Sequence, residues 1–176
     1  MTPPDAGQSG VKPAFSTRIA TSADAALVLD FIKRLAEYEK LAHMVVADEA
    51  LLREELFGPR SHVEALLAFE GDTAVGFAVY FHNFSTFLGR KGLWLEDLFV
   101  LPEMRGRGYG KKILLELGRI AHSRGCGRFE WAVLDWNQPS IDFYKSLGAV
   151  PLEDWAIFRV TGPALEKLAA MADRRA

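Results

Sequence analysis

The chain has 176 residues, with 49% hydrophobic and 25% charged, which suits one soluble globular domain and leaves no room for a second of ordinary size. A formal charge of −2 gives no general electrostatic reason to bind nucleic acid or an anionic membrane. The single cysteine, Cys126, excludes an internal disulfide, and no apolar run approaches the ~18 residues of a membrane span.

Met1 to Ala14 carries Pro, Gly, Asp, Gln and Ser without an apolar signal core, and reads as a loose tail. A cytosolic location is therefore expected. Phe15 to Ala20 alternates and is partly β-branched, as a first strand would be. Thr21 or Ser22 can cap a helix, along which Leu27, Phe31, Leu35 and Tyr38 recur at helical spacing. Asp48 can cap a second, shorter helix carrying Leu51, Leu52, Leu56 and Phe57 and stopping at Gly58-Pro59. The period then changes. Val63 to Phe69, a turn at Glu70-Gly71-Asp72, Ala74 to Phe81 and Leu93 to Val100 read as consecutive antiparallel strands. A helix follows from about Gly108 to Ser123, then a strand from Arg128 to Asp135. Pro139 opens a short helix that Gly148 closes, Trp155 to Val160 reads as a last strand, and Pro163 to Met171 as a last helix. Hairpins followed by a strand–helix–strand crossover indicate a mixed α/β sheet.

The most informative stretch runs from Val100 through Arg105-Gly106-Arg107-Gly108-Tyr109-Gly110 to Lys111. Glycines between a strand and a helix let backbone amides approach a ligand, and the first-turn amides have no partner inside the helix. Pyrophosphate is the usual guest of such a turn. Gly110-Lys111-Lys112 does not fit a Walker loop, and Lys111 stands where a dinucleotide fingerprint needs its third glycine. The remaining pattern, Arg105-x-x-Gly108-x-Gly110, resembles the Arg/Gln-x-x-Gly-x-Gly/Ala turn of the GNAT acetyltransferase superfamily.

Leu95-Glu96-Asp97-Leu98-Phe99-Val100 before the turn, and the run from Trp136-Asn137-Gln138-Pro139-Ser140 to Phe143-Tyr144-Lys145 after it, resemble the spermidine/spermine (diamine) acetyltransferase branch. Tyr38-Glu39-Lys40-Leu41 and Gly76-Phe77-Ala78-Val79-Tyr80-Phe81 do too. Ala132 to Gln138 looks especially like its thialysine-acetylating members. The likeness runs from about Ile19 to Met171. It implies one GNAT domain over residues 15–176, with a mostly antiparallel sheet splayed near Leu98. It also implies acetyl-CoA as cosubstrate, no metal, a small primary amine as acceptor, and a homodimer with the strand near Trp155 at its interface.

By the same resemblance, Leu98, Phe99 and Val100, the turn Arg105, Gly106, Arg107, Gly108, Tyr109 and Gly110, and Asn137, Gln138, Pro139 and Ser140 would contact acetyl-CoA. Tyr144 would donate a proton to the departing thiolate. Glu96 would stand beside the acceptor amine, and Tyr38, Glu39, Glu130, Trp131 and Ala132 would shape its site. The polyamine-acetylating members place extra carboxylates after the Tyr-Glu pair, where this chain has Lys40, Leu41, Ala42 and His43. That departure favours thialysine-like amino acids over polyamines. A protein-lysine acetyltransferase or a non-catalytic acetyl-CoA sensor would share the turn, although a sensor would have no need of Glu96 and Tyr144.

Chemistry supports these roles independently. A lysine-type amine of pKa about 10.4 is only ~0.1% neutral near pH 7.4, equivalent to ~4 kcal/mol, and only the neutral form attacks a thioester. A carboxylate such as Glu96 can attract the ammonium and take its proton, most simply through water. Against these roles stand plainer ones. Tyr144 with Phe143 and Leu147 can pack a core, and Asn137 can be a turn residue. On regular strand alternation Asp97 faces away from Glu96 and suits a salt bridge, unless a bulge disturbs the parity. His43, His62, His82 and His122 lack metal-ligand spacing, Cys126 reads as a small packed residue, and Arg124, Arg128, Arg174 and Arg175 as a solvated basic surface.

Overall fold

A computed structural model describes residues 13–173. The chain divides into two compact units between Ala132 and Val133.

The first unit is built on a five-stranded sheet in the order β1-β2-β3-β4-β5. Its strands are β1 (Phe15–Ile19), β2 (Val63–Glu70), β3 (Thr73–Ser85), β4 (Arg90–Val100) and β5 (Phe129–Trp131). The first four pair antiparallel, and β5 runs parallel to β4 after a crossover through helix α3 (Tyr109–Ser123). One face of the sheet buries Ala65, Leu67, Phe77, Val79 and Phe99 together with Val28, Phe31 and Leu35 of α1 (Ala25–Tyr38) and Leu52 and Leu56 of α2 (Glu49–Phe57). Helix α3 buries Ile113, Leu114, Leu117 and Ile120. Gly76 lies opposite Val100, where a Cβ would stand 2.6 Å from the Phe99 carbonyl oxygen and 3.3 Å from Ile113 Cδ1. Only glycine lets the β4 backbone lie this close, with Ile113 of α3 packed against it.

Local chemistry sets the helix ends. Asp24 accepts from the Thr21 amide at 2.8 Å and pairs with Arg18 at 2.7 Å, so a 3₁₀ turn, Ser22–Asp24, precedes α1. Asp48 caps α2 by accepting from the Leu51 amide at 2.8 Å. At the end of α1, the Leu41 amide reaches Ala36 O at 2.7 Å and the Lys40 amide reaches Glu37 O at 3.1 Å. This closing motif holds Lys40 at φ 62°, a left-handed position usually given to glycine. It fixes the direction in which Tyr38 and Glu39 leave the helix.

Arg124 and Arg128 differ from the expected solvated surface. Arg124, at the end of α3, is bidentate on Glu64 of β2, which also accepts from the Tyr80 hydroxyl at 3.2 Å. Arg128 pairs with Glu130 at 2.7 Å. Arg174, Arg175 and the tail to residue 12 lie outside the described residues.

In the second unit, α4 (Gln138–Ser146) begins at Asn137 and α5 (Pro163–Asp173) closes the described chain. Two sequence expectations change. The strand read over Arg128 to Asp135 contracts to Phe129–Trp131, because β4 offers it a partner only over Leu93–Leu95. Trp155 to Val160 forms no strand among the described residues. Apolar alternation makes a strand only where a neighbour completes its hydrogen-bond ladder.

Candidate active site

The Gly-rich turn has the form the sequence indicates. Gly106 and Gly108 take φ values of 75° and 78°, and Gly108 directly precedes α3. The first helical bond there runs from the Lys112 amide to Gly108 O at 3.1 Å. The amides of residues 106–111 therefore have no backbone acceptor among the described residues, and a row of such donors at a helix start suits an anion. A Cβ on Gly110 would lie 4.0 Å from Leu98 Cδ2 and Val100 Cγ2, so the turn packs directly against the end of β4.

The side chains of the turn are largely committed elsewhere. The Tyr109 ring is buried, stacks on Phe15 with centroids 5.1 Å apart, and its hydroxyl donates to Glu70. Arg107 pairs with the same Glu70 at 3.1 Å. Arg105 Nε donates to the Val100 carbonyl at 3.1 Å, and its guanidinium carbon lies 4.2 Å from the centre of the Tyr38 ring. The turn therefore offers a phosphate its amides more than its cations.

The end of β4 is open. Pairing with β5 stops at Leu95 and Trp131, so Glu96 to Val100 continue without a strand partner on that side among the described residues. On the other side the register shifts: Val79 faces Asp97 and Tyr80 faces Leu95, which leaves Glu96 as the extra residue of a bulge. The bulge breaks the alternation. Glu96 is exposed and accepts from Trp94 Nε1 at 2.9 Å, while Asp97 turns inward.

Asp97 has no ion pair or hydrogen bond among the described residues, contrary to the salt bridge that regular alternation predicts. Burial, followed by repulsion from Glu96 and Glu39, pushes its carboxyl up to about 6. Burial also raises Glu39. Three carboxylates thus gather beside the open strand end, at the close of α1. Of the other residues expected around the acceptor, Glu130 is held by Arg128 and by Asn83 Nδ2 at 2.9 Å, Trp131 packs edge-on to Phe129 at 4.9 Å, and Ala132 is exposed. From the sequence Asp97 reads as lying outside the site, and its one signal there is a second acid beside Glu96 in an apolar strand.

Asp97 binds its proton more tightly in the folded chain than the usual carboxylate value of about 3.9 allows in the unfolded one. The folded state is therefore favoured below pH 4 and loses that advantage as pH rises through 6. Asp97→Asn removes this loss, so it should be more stable than wild type at pH 8 by up to about 2 kcal/mol, with the difference closing near pH 4. Chemical denaturation at the two pH values checks this; a difference that does not vary with pH would show that Asp97 is not held above its ordinary range.

The second unit carries the remaining predicted residues. Asn137 caps α4, its side chain accepting from the Ser140 amide at 3.4 Å, with Pro139 in the first turn. Gln138 Nε2 donates to Asp142 at 2.7 Å. Tyr144 lies on α4 beside Phe143, with centroids 5.4 Å apart, and burial raises its phenol above the ordinary value.

Comparison with known proteins adds the following. The family model described as Acetyltransferase (GNAT) family matches residues 31–149. Thialysine N-epsilon-acetyltransferase of Mus musculus is 39% identical over 167 residues, covering 88% of this chain and 98% of its own. L-ornithine N5-acetyltransferase of Arabidopsis thaliana is 27% identical, covering 95% and 93%. An integron cassette protein from the mobile metagenome of V. cholerae superposes with a TM-score of 0.75 at 28% identity, over 88% of this chain and 97% of that one.

Proposed function

The chain belongs to the GNAT acetyltransferase family, and from that membership we propose that it moves the acetyl group of acetyl-CoA onto the side-chain amine of a small amino acid of the thialysine type. Family and relatives make it an amine N-acetyltransferase. The proposal extends this to the acceptor and to the residue roles. The observation that carries it is the bulge at Glu96, which gathers Glu96, Asp97 and Glu39 beside an open strand end and a turn of free amides.

In this reading the turn amides hold the coenzyme pyrophosphate, and the amides of Leu98 to Val100 polarise the thioester carbonyl. The carboxylates draw the ammonium in, and Glu96 takes its proton through water. The neutral nitrogen attacks the thioester carbon, and the tetrahedral intermediate gives its second nitrogen proton to water. The C–S bond breaks as the thiolate takes a proton from Tyr144, and the tyrosinate is reprotonated from solvent. No covalent enzyme intermediate is needed. A phenol raised by burial stays protonated at neutral pH, as a donor must. Lys40, Leu41, Ala42 and His43 after the Tyr38-Glu39 pair place little negative charge for a long polycation. Relatives named for thialysine and ornithine point to amino acids bearing a terminal amine. Diamines and polyamines come second. The reading includes a homodimer in the cytosol and no metal.

Glu96→Gln tests the base. It should lower kcat/KM on the order of 10²-fold at pH 7 and recover toward pH 10, where solvent deprotonates the amine unaided. A pH–rate profile of unchanged shape would make Glu96 structural. In the same assay thialysine and ornithine should exceed spermidine in kcat/KM; the reverse order would overturn the choice of acceptor.

A further inference from the structure

Arg105 belongs to the phosphate turn by sequence, yet its guanidinium lies over the ring of Tyr38, at the end of α1. Its carbon is 4.2 Å from the centre of the Tyr38 ring and 5.5 Å from that of Phe99, while Nε donates to the Val100 carbonyl at 3.1 Å. Beneath it the rings continue inward. Tyr38 and Phe99 centroids are 6.5 Å apart, Phe99 and Phe31 6.5 Å, and Phe31 and Phe77 5.3 Å. One guanidinium thus touches the end of α1, the open end of β4 and the entry to the turn.

The turn pattern accepts Gln as well as Arg at this position. Gln can still donate to a carbonyl, but it brings no cation to the Tyr38 ring. Stacking a cation on an aromatic face is the part that Arg adds here. Tyr38 is 41% exposed, so without this contact its ring has few other restraints on its outer side.

We infer that Arg105 is a positioning residue that couples the acceptor site to the coenzyme site by holding Tyr38 against the phosphate turn. A ligand that fixes the turn also fixes Arg105, and through it the ring that borders the acceptor. By linkage, a Tyr38 held in place favours the turn conformation that binds the coenzyme. The acceptor half of this inference rests on the proposed function; the coenzyme half requires only acetyl-CoA binding.

The test is a double-mutant cycle on Arg105→Gln and Tyr38→Leu, with acetyl-CoA affinity from calorimetry and acceptor KM at saturating acetyl-CoA. Tyr38→Leu should weaken acetyl-CoA binding about 3- to 10-fold although Tyr38 lies outside the turn, and Arg105→Gln should raise acceptor KM by a similar factor. The double variant should be no worse than the worse single variant in either measurement. Tyr38→Phe keeps the aromatic face and should bind acetyl-CoA as wild type does, which separates stacking from a folding defect. Additive effects, or an Arg105→Gln variant with weakened acetyl-CoA binding and unchanged acceptor KM, would overturn the coupling and make Arg105 a phosphate ligand. Should the wild type bind acetyl-CoA but acetylate no amine, the proposed function fails, while Tyr38→Leu still decides the link to the turn.

Discussion

Tyr144→Phe should lower kcat by roughly 10²–10⁴-fold while acetyl-CoA affinity and melting temperature stay near wild type. The substitution removes one hydroxyl and keeps the ring beside Phe143 on α4. A thiol of pKa about 8.5 leaves more readily when a phenol of pKa about 10 can protonate it. Burial raises the Tyr144 phenol further and ensures that the proton is present to give. A packing role predicts a different pattern: activity retained, with a loss of about 1 kcal/mol in stability if the hydroxyl is bonded inside the unit. Measuring kcat, coenzyme affinity and melting on the same variant distinguishes the two. A wild-type kcat would remove Tyr144 from the chemistry.

Gly108→Asp should weaken acetyl-CoA binding about 100-fold, because the introduced carboxylate would stand among the amides proposed to hold the pyrophosphate. Apart from adjoining backbone, no described protein atom lies within 4 Å of the Cβ this substitution adds, so the fold itself has room for the side chain. The position has φ 78°, which Asp adopts at a cost of about 1 kcal/mol. Gly108→Asn carries the same backbone strain without the charge. It should therefore lose much less affinity than Gly108→Asp when both are measured by calorimetry. Equal losses in the two variants would mean that strain or bulk, and not charge at the turn, governs coenzyme binding.

Much of this architecture is legible in the sequence, because it is fixed locally. Leu27, Phe31 and Leu35 at helical spacing mark α1, Asp48 marks the start of α2, and Glu70-Gly71-Asp72 marks the β2–β3 turn. The alternating glycines before α3 mark the turn that leads into that helix for the same reason: Gly106 and Gly108 adopt backbone angles that other residues avoid. What the sequence conceals depends on contacts between distant segments. The bulge opposite Val79 and Tyr80 is a property of strand pairing, and it alone turns Asp97 from an expected salt-bridge partner into a member of the acidic group. Arg105 reads as a phosphate ligand until Tyr38, 67 positions earlier in the chain, is brought beneath its guanidinium. Arg124 reads as solvated until β2 brings Glu64 to it. Trp155 to Val160 fails in the opposite sense, its alternation promising a strand for which the described residues supply no partner.

The most direct test of the account is release of free CoA thiol from acetyl-CoA, with thialysine, ornithine, diamines and spermidine offered in turn and the products identified by mass spectrometry. Thiol release that requires both enzyme and amine, matched mole for mole by N-acetylated product and greatest with the amino-acid acceptors, is the predicted result. Tight acetyl-CoA binding with no amine-dependent thiol release would contradict it.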